Sequence, residues 1–254
     1  MVMKLHAFGD SFMLGDLDDF LEELPKDIKP THNMEYNTRI AYLKQNVSFA
    51  SLIAKHYNLD YHNYASRGSG NYPQLDKLWI NLINGNIKEN DIVLFGITTT
   101  ARDRIQAIYF DKAIANNHGE VLMDRYLLLN GKHNDIFQMD LFYILSILES
   151  MSKQFNIKII KLHLFDNSMD YSNDDLIKYY KFTDYIGNDI KGNTTVNIIN
   201  DTWGKPSEFC PNHNYDILNG YENYWTRKHH PSIEGHQKIA DWFIKNEYFC
   251  ISKR

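Results

Sequence analysis

Apolar residues along the chain form two kinds of segment: short runs that predict buried strands, and longer stretches with helical spacing that predict helices. The clearest short run covers residues 91–96. It is apolar at nearly every position, which is typical of a strand buried on both faces of a parallel sheet. Strands are predicted at residues 3–8, 59–64, 91–96 and 157–165. Helices are predicted at residues 41–57, 75–83 and 141–155, and after Pro231.

Strands and helices therefore alternate along the sequence, which is the pattern of βαβ units that close into a parallel sheet. We expect an α/β fold: a three-layer α/β/α sandwich around a parallel sheet of about five strands. Because no linker rich in Pro, Gly or Ser divides the chain, residues 1–254 are interpreted as a single domain. Three stretches lack the alternation and are interpreted as loop excursions, at residues 15–36, 105–137 and 166–225.

Composition and charge narrow the classes of function. The 43% of hydrophobic residues supply a sizeable core and argue against disorder. A net charge of −5 provides no overall basic field, so no nucleic-acid partner is expected. The two cysteines cannot form a disulfide scaffold. No second Cys pair completes a zinc site around residues 210–213, so no metal is expected either.

Targeting signals are also missing from the sequence pattern. No apolar run approaches the roughly 20 residues of a membrane helix, so no membrane partner is expected. The first residues do not form the apolar core of a secretory leader, which needs about 7 to 15 residues. These features predict a cytoplasmic location, with association with virions left open. They leave the oligomeric state undecided.

Candidate chemistry lies directly after the strands, because ligands of open parallel sheets bind outside the carboxyl ends of the strands. Gly9-Asp10-Ser11 follows the first strand. A serine hydroxyl becomes a nucleophile when a base takes its proton and nearby N–H groups stabilise the oxyanion. The tripeptide alone is equally typical of a turn in which Ser or Asp caps a helix.

A second candidate group precedes the last helix. His230 is followed by Pro231, which can set the first turn of the helix and leave the histidine on the loop. An imidazole in that position can act as a general base near neutral pH. The alternative interpretation of His229, His230 and His236 is a surface loop plus one helix residue, or a chance metal cluster.

Taken together, three blocks resemble the SGNH (GDSL-type) hydrolase superfamily of esterases, lipases and carbohydrate deacetylases, whose fold is flavodoxin-like. In that family the Gly-Asp-Ser block bears the nucleophile, here Ser11. The segment 63–71 resembles the block that contributes a glycine N–H to the oxyanion hole, here Gly68, and Asn71 is a candidate supporting residue. The His-Pro-Ser-x-x-Gly-His run resembles the block of the catalytic base, here His230. The resemblance implies no cofactor.

The third block of the family departs from the pattern. It normally reads Gly-x-Asn-Asp, and the Asn side chain donates to the oxyanion. Residues 96–99 read Gly-Ile-Thr-Thr, so Thr98 takes the position of the Asn and is a candidate third donor. Arg102 or Arg104 could supply a charged donor instead, and their alternative interpretation is solvated surface arginine.

A second departure concerns the acid of the triad. Family members usually carry an Asp three residues before the catalytic histidine, and Arg227 stands there in this chain. Asp216, Glu222 or a backbone carbonyl could orient the imidazole, or the site could work as a Ser–His dyad. Asp10 is interpreted as an acceptor that stabilises the turn, because it adjoins the nucleophile.

The resemblance implies a serine esterase in which Ser11 forms an acyl-enzyme and His230 transfers the proton, while the backbone N–H groups of Ser11 and Gly68 stabilise the oxyanion. The expected partner is a small-molecule or glycan ester. The excursions are polar and rich in Tyr and Asn, which favours an O-acetylated carbohydrate over a long-chain lipid. Two alternatives stay open: a catalytically degenerate domain that serves as a glycan-binding or structural module, and an O-acyltransferase.

Overall fold

The computed structural model describes residues 3–17, 36–98, 133–164, 182–186 and 230–249, together with Ile198 and Tyr224. The described strands are β1 (Lys4–Phe8), β2 (Asp60–Asn63), β3 (Ile92–Ile97), β4 (Lys158–His163) and β5 (Tyr185–Ile186). The described helices are α1 (Ser11–Leu14), α2 (Tyr36–Asn46), α3 (Phe49–His56), α4 (Asn71–Ile83), α5 (His133–Phe155) and α6 (Ile233–Lys245). None of these described helices combines the length and the apolarity needed to cross a bilayer.

The five strands form one parallel sheet in the order β2-β1-β3-β4-β5. This is the strand order of flavodoxin-like doubly wound sheets. The chain leaves β1 toward one edge of the sheet and returns to its other side at β3, so the strand order reverses between these two strands. The expected α/β fold class is confirmed.

Two hydrophobic cores, one on each face of the sheet, make the molecule three layers thick. Strand β3 shows why its sequence is apolar throughout, since all six of its residues are buried. Ile92 and Leu94 belong to the core that α3 and α6 cover. Val93 and Phe95 belong to the core that α4 and α5 cover. Successive strand residues point to opposite faces, so both faces of β3 require apolar side chains.

The helix predicted over residues 41–57 is two helices, α2 and α3. The break occurs at Ser48, whose hydroxyl donates to the Lys44 carbonyl at 2.9 Å and accepts the Ser51 N–H at 3.2 Å. Such a side chain caps a new helix start. The periodicity did not reveal the break because apolar residues of both helices, such as Leu43 and Ile53, face the same core.

The three predicted excursions are only partly loops. Helix α2 begins at Tyr36 and α5 begins at His133, inside the stretches assigned to residues 15–36 and 105–137. Strand β5 lies within residues 166–225. Two residues are too few for an alternating pattern to appear in the sequence. Most of the three stretches lies outside the described residues.

Candidate active site

The turn after β1 presents Ser11 at the carboxyl edge of the sheet. Gly9 has a φ of 151°, and a Cβ at this position would overlap the Met13 side chain and lie 3.2 Å from the Gly96 carbonyl oxygen. The turn therefore requires glycine. Asp10 then caps α1, because its Oδ1 accepts the Phe12 N–H at 2.9 Å. Ser11 is the first residue of the helix, where backbone N–H groups have no partner within the helix.

His230 meets Ser11 from the other end of the chain. Its Nε2 lies 2.8 Å from Ser11 Oγ, although 219 residues separate the two in the sequence. In the tautomer that carries its proton on Nδ1, Nε2 accepts the serine hydroxyl hydrogen. Ser232 caps α6 by accepting the Gly235 N–H at 3.1 Å, which fixes the helix start just after the histidine. The Phe12 ring packs against the imidazole, with ring centroids 5.6 Å apart.

Ser11 and His230 lie at the point in the sheet where the strand order reverses. Ser11 follows β1 and Thr98 follows β3, and these two strands are neighbours in the sheet. In doubly wound sheets the crevice at this reversal is the usual ligand site. The fold therefore places the Ser–His pair at the carboxyl ends of these two neighbouring strands.

Thr98 lies near Ser11, but its hydroxyl is not the oxyanion donor that the sequence predicted. Oγ1 donates its one hydrogen to Asp10 Oδ2 at 3.0 Å, so in this arrangement it is not available to an oxyanion. The Thr98 backbone is also held, because its N–H donates to Asn71 Oδ1 at 2.9 Å and its carbonyl accepts from Asn71 Nδ2 at 3.1 Å. Asp10, Asn71 and Thr98 are all buried. This buried network joins the ends of β1 and β3 to the start of α4.

Gly68 lies in the exposed turn between β2 and α4. Its φ is 63°, a left-handed conformation that glycine adopts without strain, and a Cβ there would meet nothing within 4 Å. The turn is tied to the nucleophile segment, because the Ser66 N–H donates to the Gly9 carbonyl at 3.1 Å. The predicted oxyanion glycine is thus on a segment bonded directly to the turn that carries Ser11.

A second histidine near His230 contributes no charge. His236 is fully buried on α6, stacks on Phe49 with a centroid distance of 5.9 Å, and its nitrogens form no hydrogen bond with a described residue. Burial, and to a smaller extent the nearby His230, lowers the pKa of His236 to about 3. His236 is therefore neutral near neutral pH and places no positive charge beside His230.

The remaining predicted site residues cannot be placed. Arg102, Asp216 and Glu222 lie outside the described residues, as does Arg227 at the position of the usual triad acid. Within the part of the chain that the structure describes, no group of three His, Cys, Asp or Glu side chains is arranged to hold a metal ion.

Gln74 was not singled out in the sequence. It is 1% exposed, its Oε1 accepts the Gly9 N–H at 3.3 Å, and its Nε2 donates to Ser69 Oγ at 2.7 Å. One amide thus contacts both the nucleophile turn and the turn that contains Gly68. A signal was present, since Asn71 and Gln74 stand three positions apart at the start of a helix and share one of its faces.

Two further contacts hold the segment after β2. Lys77 Nζ donates to Ser66 Oγ at 2.6 Å and to the Tyr64 carbonyl at 3.2 Å. The Arg67 guanidinium pairs with the Asp16 carboxylate, which is buried close to α1. Both contacts join segments that are distant in sequence, so hydrophobic periodicity did not indicate them.

Sequence comparison identifies no relative: no protein-family model matches the chain, and no curated protein matches it significantly. Solved structures are similar at low identity. A protein from Desulfitobacterium hafniense DCB-2, described as a lipolytic protein of the G-D-S-L family, has 12% identity and a TM-score of 0.49, with 96% of this chain and 98% of that chain covered.

Two other solved structures carry descriptions as esterases. An acetylxylan esterase from Geobacillus stearothermophilus has 13% identity and a TM-score of 0.41, with 99% of this chain and 97% of that chain covered. A carbohydrate esterase, whose active site displays divergent catalytic and non-catalytic binding functions, has 17% identity and a TM-score of 0.44, with 96% and 67% covered. These values describe a likeness and assign no activity to this chain.

Proposed function

We propose that this chain is a serine esterase of the SGNH type, in which Ser11 is the nucleophile and His230 the general base. The observation that carries the proposal is the 2.8 Å contact between Ser11 Oγ and His230 Nε2 at the carboxyl ends of β1 and β3. A nucleophile and a base within hydrogen-bond reach are the minimum that acyl transfer requires.

The reaction proceeds in two halves. Ser11 Oγ attacks the ester carbonyl carbon while its proton passes to His230 Nε2. The tetrahedral intermediate collapses, the alcohol leaves with the proton from His230, and the acyl group stays on Ser11. Water then attacks the acyl-enzyme, His230 takes the proton of the water, and release of the acid regenerates the serine hydroxyl.

The oxyanion is stabilised by backbone N–H groups of Ser11 and Gly68. Ser11 is the first residue of the short helix α1, where backbone N–H groups have no partner within the helix. Thr98 acts on the turn instead, since its hydroxyl donates to Asp10, which in turn accepts from the N–H that follows Ser11. Thr98 thereby stiffens the turn that aims the nucleophile.

The substrate is an ester with a short acyl group, and O-acetyl groups on a carbohydrate fit best. Ser11 is only 5% exposed, so little of its surface is open to a substrate, which favours a small acyl group. The polar excursions noted in the sequence suit a hydrophilic alcohol such as a sugar. No cofactor takes part in the proposed reaction.

Covalent labelling tests the nucleophile. We expect a fluorophosphonate probe to label the wild type, and p-nitrophenyl acetate and an acetylated glycan to be hydrolysed. Ser11→Ala should abolish labelling and turnover, whereas Ser150→Ala should retain both. Ser150 is an exposed serine on α5 that, among the described residues, donates only to the Ser146 carbonyl, so it controls for loss of any serine hydroxyl. Equal labelling of Ser11→Ala and the wild type would contradict the assignment.

The same assay separates the alternatives. Binding of glycans without turnover on a broad panel of acyl esters would favour a binding module, and the mechanism proposed here would then be wrong. Products in which an added sugar hydroxyl carries the acyl group would favour acyl transfer by the same two residues. Free acid as the product, with or without such an acceptor, supports hydrolysis.

A further inference from the structure

We propose that Gln74 is a positioning residue that sets the distance between the nucleophile turn and the turn that contains Gly68. The inference rests on the proposed function, because it concerns the geometry of the oxyanion site of that reaction. Gln74 itself does not touch the reacting atoms. It acts through the two backbone segments that it joins.

The contacts of the Gln74 amide span the two halves of the site. Its Oε1 accepts the N–H of Gly9, two residues before Ser11, and its Nε2 donates to the hydroxyl of Ser69, the residue after Gly68. The bond to Ser69 is short at 2.7 Å, and the bond from Gly9 is long at 3.3 Å. A shift of either turn changes the separation of the two N–H groups proposed to bind the oxyanion.

The chemistry of an amide is required at this position. One partner is a donor and the other is an acceptor, because the Ser69 hydroxyl already donates to the Gly70 carbonyl. A glutamate could accept from Gly9 but has no hydrogen for Ser69, and a hydrophobic side chain would leave both groups without a partner. Because Gln74 is buried, water cannot take its place.

Further contacts also hold the distance between the nucleophile turn and the turn that contains Gly68. Lys77, one turn further along α4, fixes the beginning of the same turn through Ser66 Oγ. Ser66 in turn donates its N–H to the Gly9 carbonyl at 3.1 Å. Helix α4 therefore holds both ends of the turn, and Gln74 adds the link to the nucleophile side. Catalysis by fixed N–H groups depends on such preorganisation.

The expected effect is on the rate and not on substrate binding. Gln74→Met keeps the length of the side chain and removes both hydrogen bonds. We expect kcat for p-nitrophenyl acetate to fall about 10- to 100-fold, since misplacing a reacting geometry by about 1 Å can cost about 100-fold. KM should stay within about two-fold. Inhibition by a short alkylboronic acid, whose tetrahedral adduct with Ser11 occupies the oxyanion site, should weaken by a similar factor.

A second variant guards against failure of the first to fold. Ser69→Ala breaks the same link from the more peripheral side and should lower kcat in the same direction. The double variant should be no slower than the slower single variant, because both changes remove one connection. Gln237→Met is the matched control, because Gln237 is exposed on α6 and its only hydrogen bond to a described residue is the one it donates to Asp241. The kcat of this variant should equal that of the wild type.

The outcomes separate this inference from the proposed function. If the wild type is labelled at Ser11 and hydrolyses the ester, but Gln74→Met and Ser69→Ala match it in kcat and in boronic acid inhibition, the inference is wrong and the proposed function stands. Additive losses in the double variant would also overturn the inference. If the wild type is neither labelled nor active, the proposed function itself fails.

Discussion

Two histidine sites share the sheet, one beyond the carboxyl end of β1 and one toward the amino ends of the strands. His230 reaches Ser11 at 2.8 Å and is half-buried at the crevice. His6, in the middle of β1, has its Nε2 3.3 Å from Asp91 Oδ2 and is 1% exposed. Taken by itself, the His6–Asp91 pair resembles the histidine and acid of a catalytic triad, because a carboxylate contacts the imidazole.

The surroundings of each imidazole decide what it can do. Asp91 also accepts the backbone N–H of Lys4 at 3.1 Å and that of Lys88 at 2.9 Å, so its carboxylate ties chain segments together. Burial lowers the pKa of His6 to about 4 despite the opposing effect of Asp91. The comparison teaches that a His–carboxylate contact does not define a catalytic site. The Ser11–His230 pair differs from it by lying at the carboxyl edge of the sheet, with a hydroxyl beside the imidazole instead of a carboxylate.

The largest expected effect comes from replacing each of the two histidines in turn and comparing the variants in the same esterase assay. His230→Gln should lower kcat/KM for p-nitrophenyl acetate by about 10³-fold or more, because the proton of Ser11 then has no acceptor. His6→Gln should change kcat/KM by less than about three-fold. Steady-state kinetics at neutral pH measure both. A comparable loss of rate in the two variants would remove the distinction between the sites.

Next in size is the effect of Asp91 on stability. Asp91→Ala leaves the Lys4 and Lys88 N–H groups and His6 without their acceptor, and should lower the free energy of unfolding by about 2–4 kcal/mol. Urea unfolding followed by circular dichroism measures this change, and kcat/KM below the transition should be preserved. Asp241→Ala, on the exposed face of α6, is the control and should cost less than about 0.5 kcal/mol. Equal stability of the two variants would contradict the structural role of Asp91.

Acid destabilisation measures the burial of His6. Its folded-state pKa of about 4 lies below the unfolded value of 6.5, so the unfolded chain takes up the proton first as the pH falls. His6 therefore has almost no effect on the pH dependence of the free energy of unfolding above about pH 6.5. As the pH falls from 6.5 to about 4, His6 destabilises the fold progressively. Between pH 7 and pH 5 we expect His6 to account for about 2 kcal/mol of lost stability. The pH dependence of unfolding should be shallower by that amount in His6→Leu.

An unchanged pH dependence in His6→Leu would show that His6 is protonated in the folded protein at pH 5. His236 provides an independent check, because burial also lowers its pKa, to about 3. His236→Leu should also make the free energy of unfolding less dependent on pH over the same pH range.

The smallest expected effect is the loss of kcat on replacing Thr98. Its size shows whether the Thr98 hydroxyl supports Asp10 or donates directly to the oxyanion. Thr98→Val removes the hydrogen bond to Asp10 and should lower kcat by about 10-fold, with partial recovery in Thr98→Ser. Loss of a direct oxyanion donor costs on the order of 10²–10³ in kcat. A loss of that larger size would show that the hydroxyl turns toward the substrate during the reaction.

Much of the fold was predictable because the central strands are short, mostly apolar segments that alternate with helical ones. β3 is buried on both faces, and its sequence shows this directly. The two-residue strand β5 and the helix break at Ser48 were not predictable in the same way. A strand so short has no periodicity, and a capping serine looks like any other polar residue within a helical pattern.

The candidate site was partly predictable for a different reason. Ser11 and His230 each stand next to a marked end of an element, a glycine turn in one case and a proline in the other, and the resemblance of these two segments to family blocks predicted that they would meet. The direction of the Thr98 hydroxyl depends on where the Asp10 carboxylate lies. The contact of Gln74 depends on how α4 packs against β1, which no local pattern encodes.

The sequence separation of Ser11 and His230 has a consequence for synthesis. Helix α6 docks on α3, where the Phe243 and Phe49 rings stack with centroids 6.2 Å apart, and this docking brings the histidine to the serine. The proposed nucleophile and base therefore meet only after α6 has been synthesised and has docked. If the two portions were expressed as separate polypeptides, we would expect the proposed esterase activity only on their reassociation, as in a split reporter.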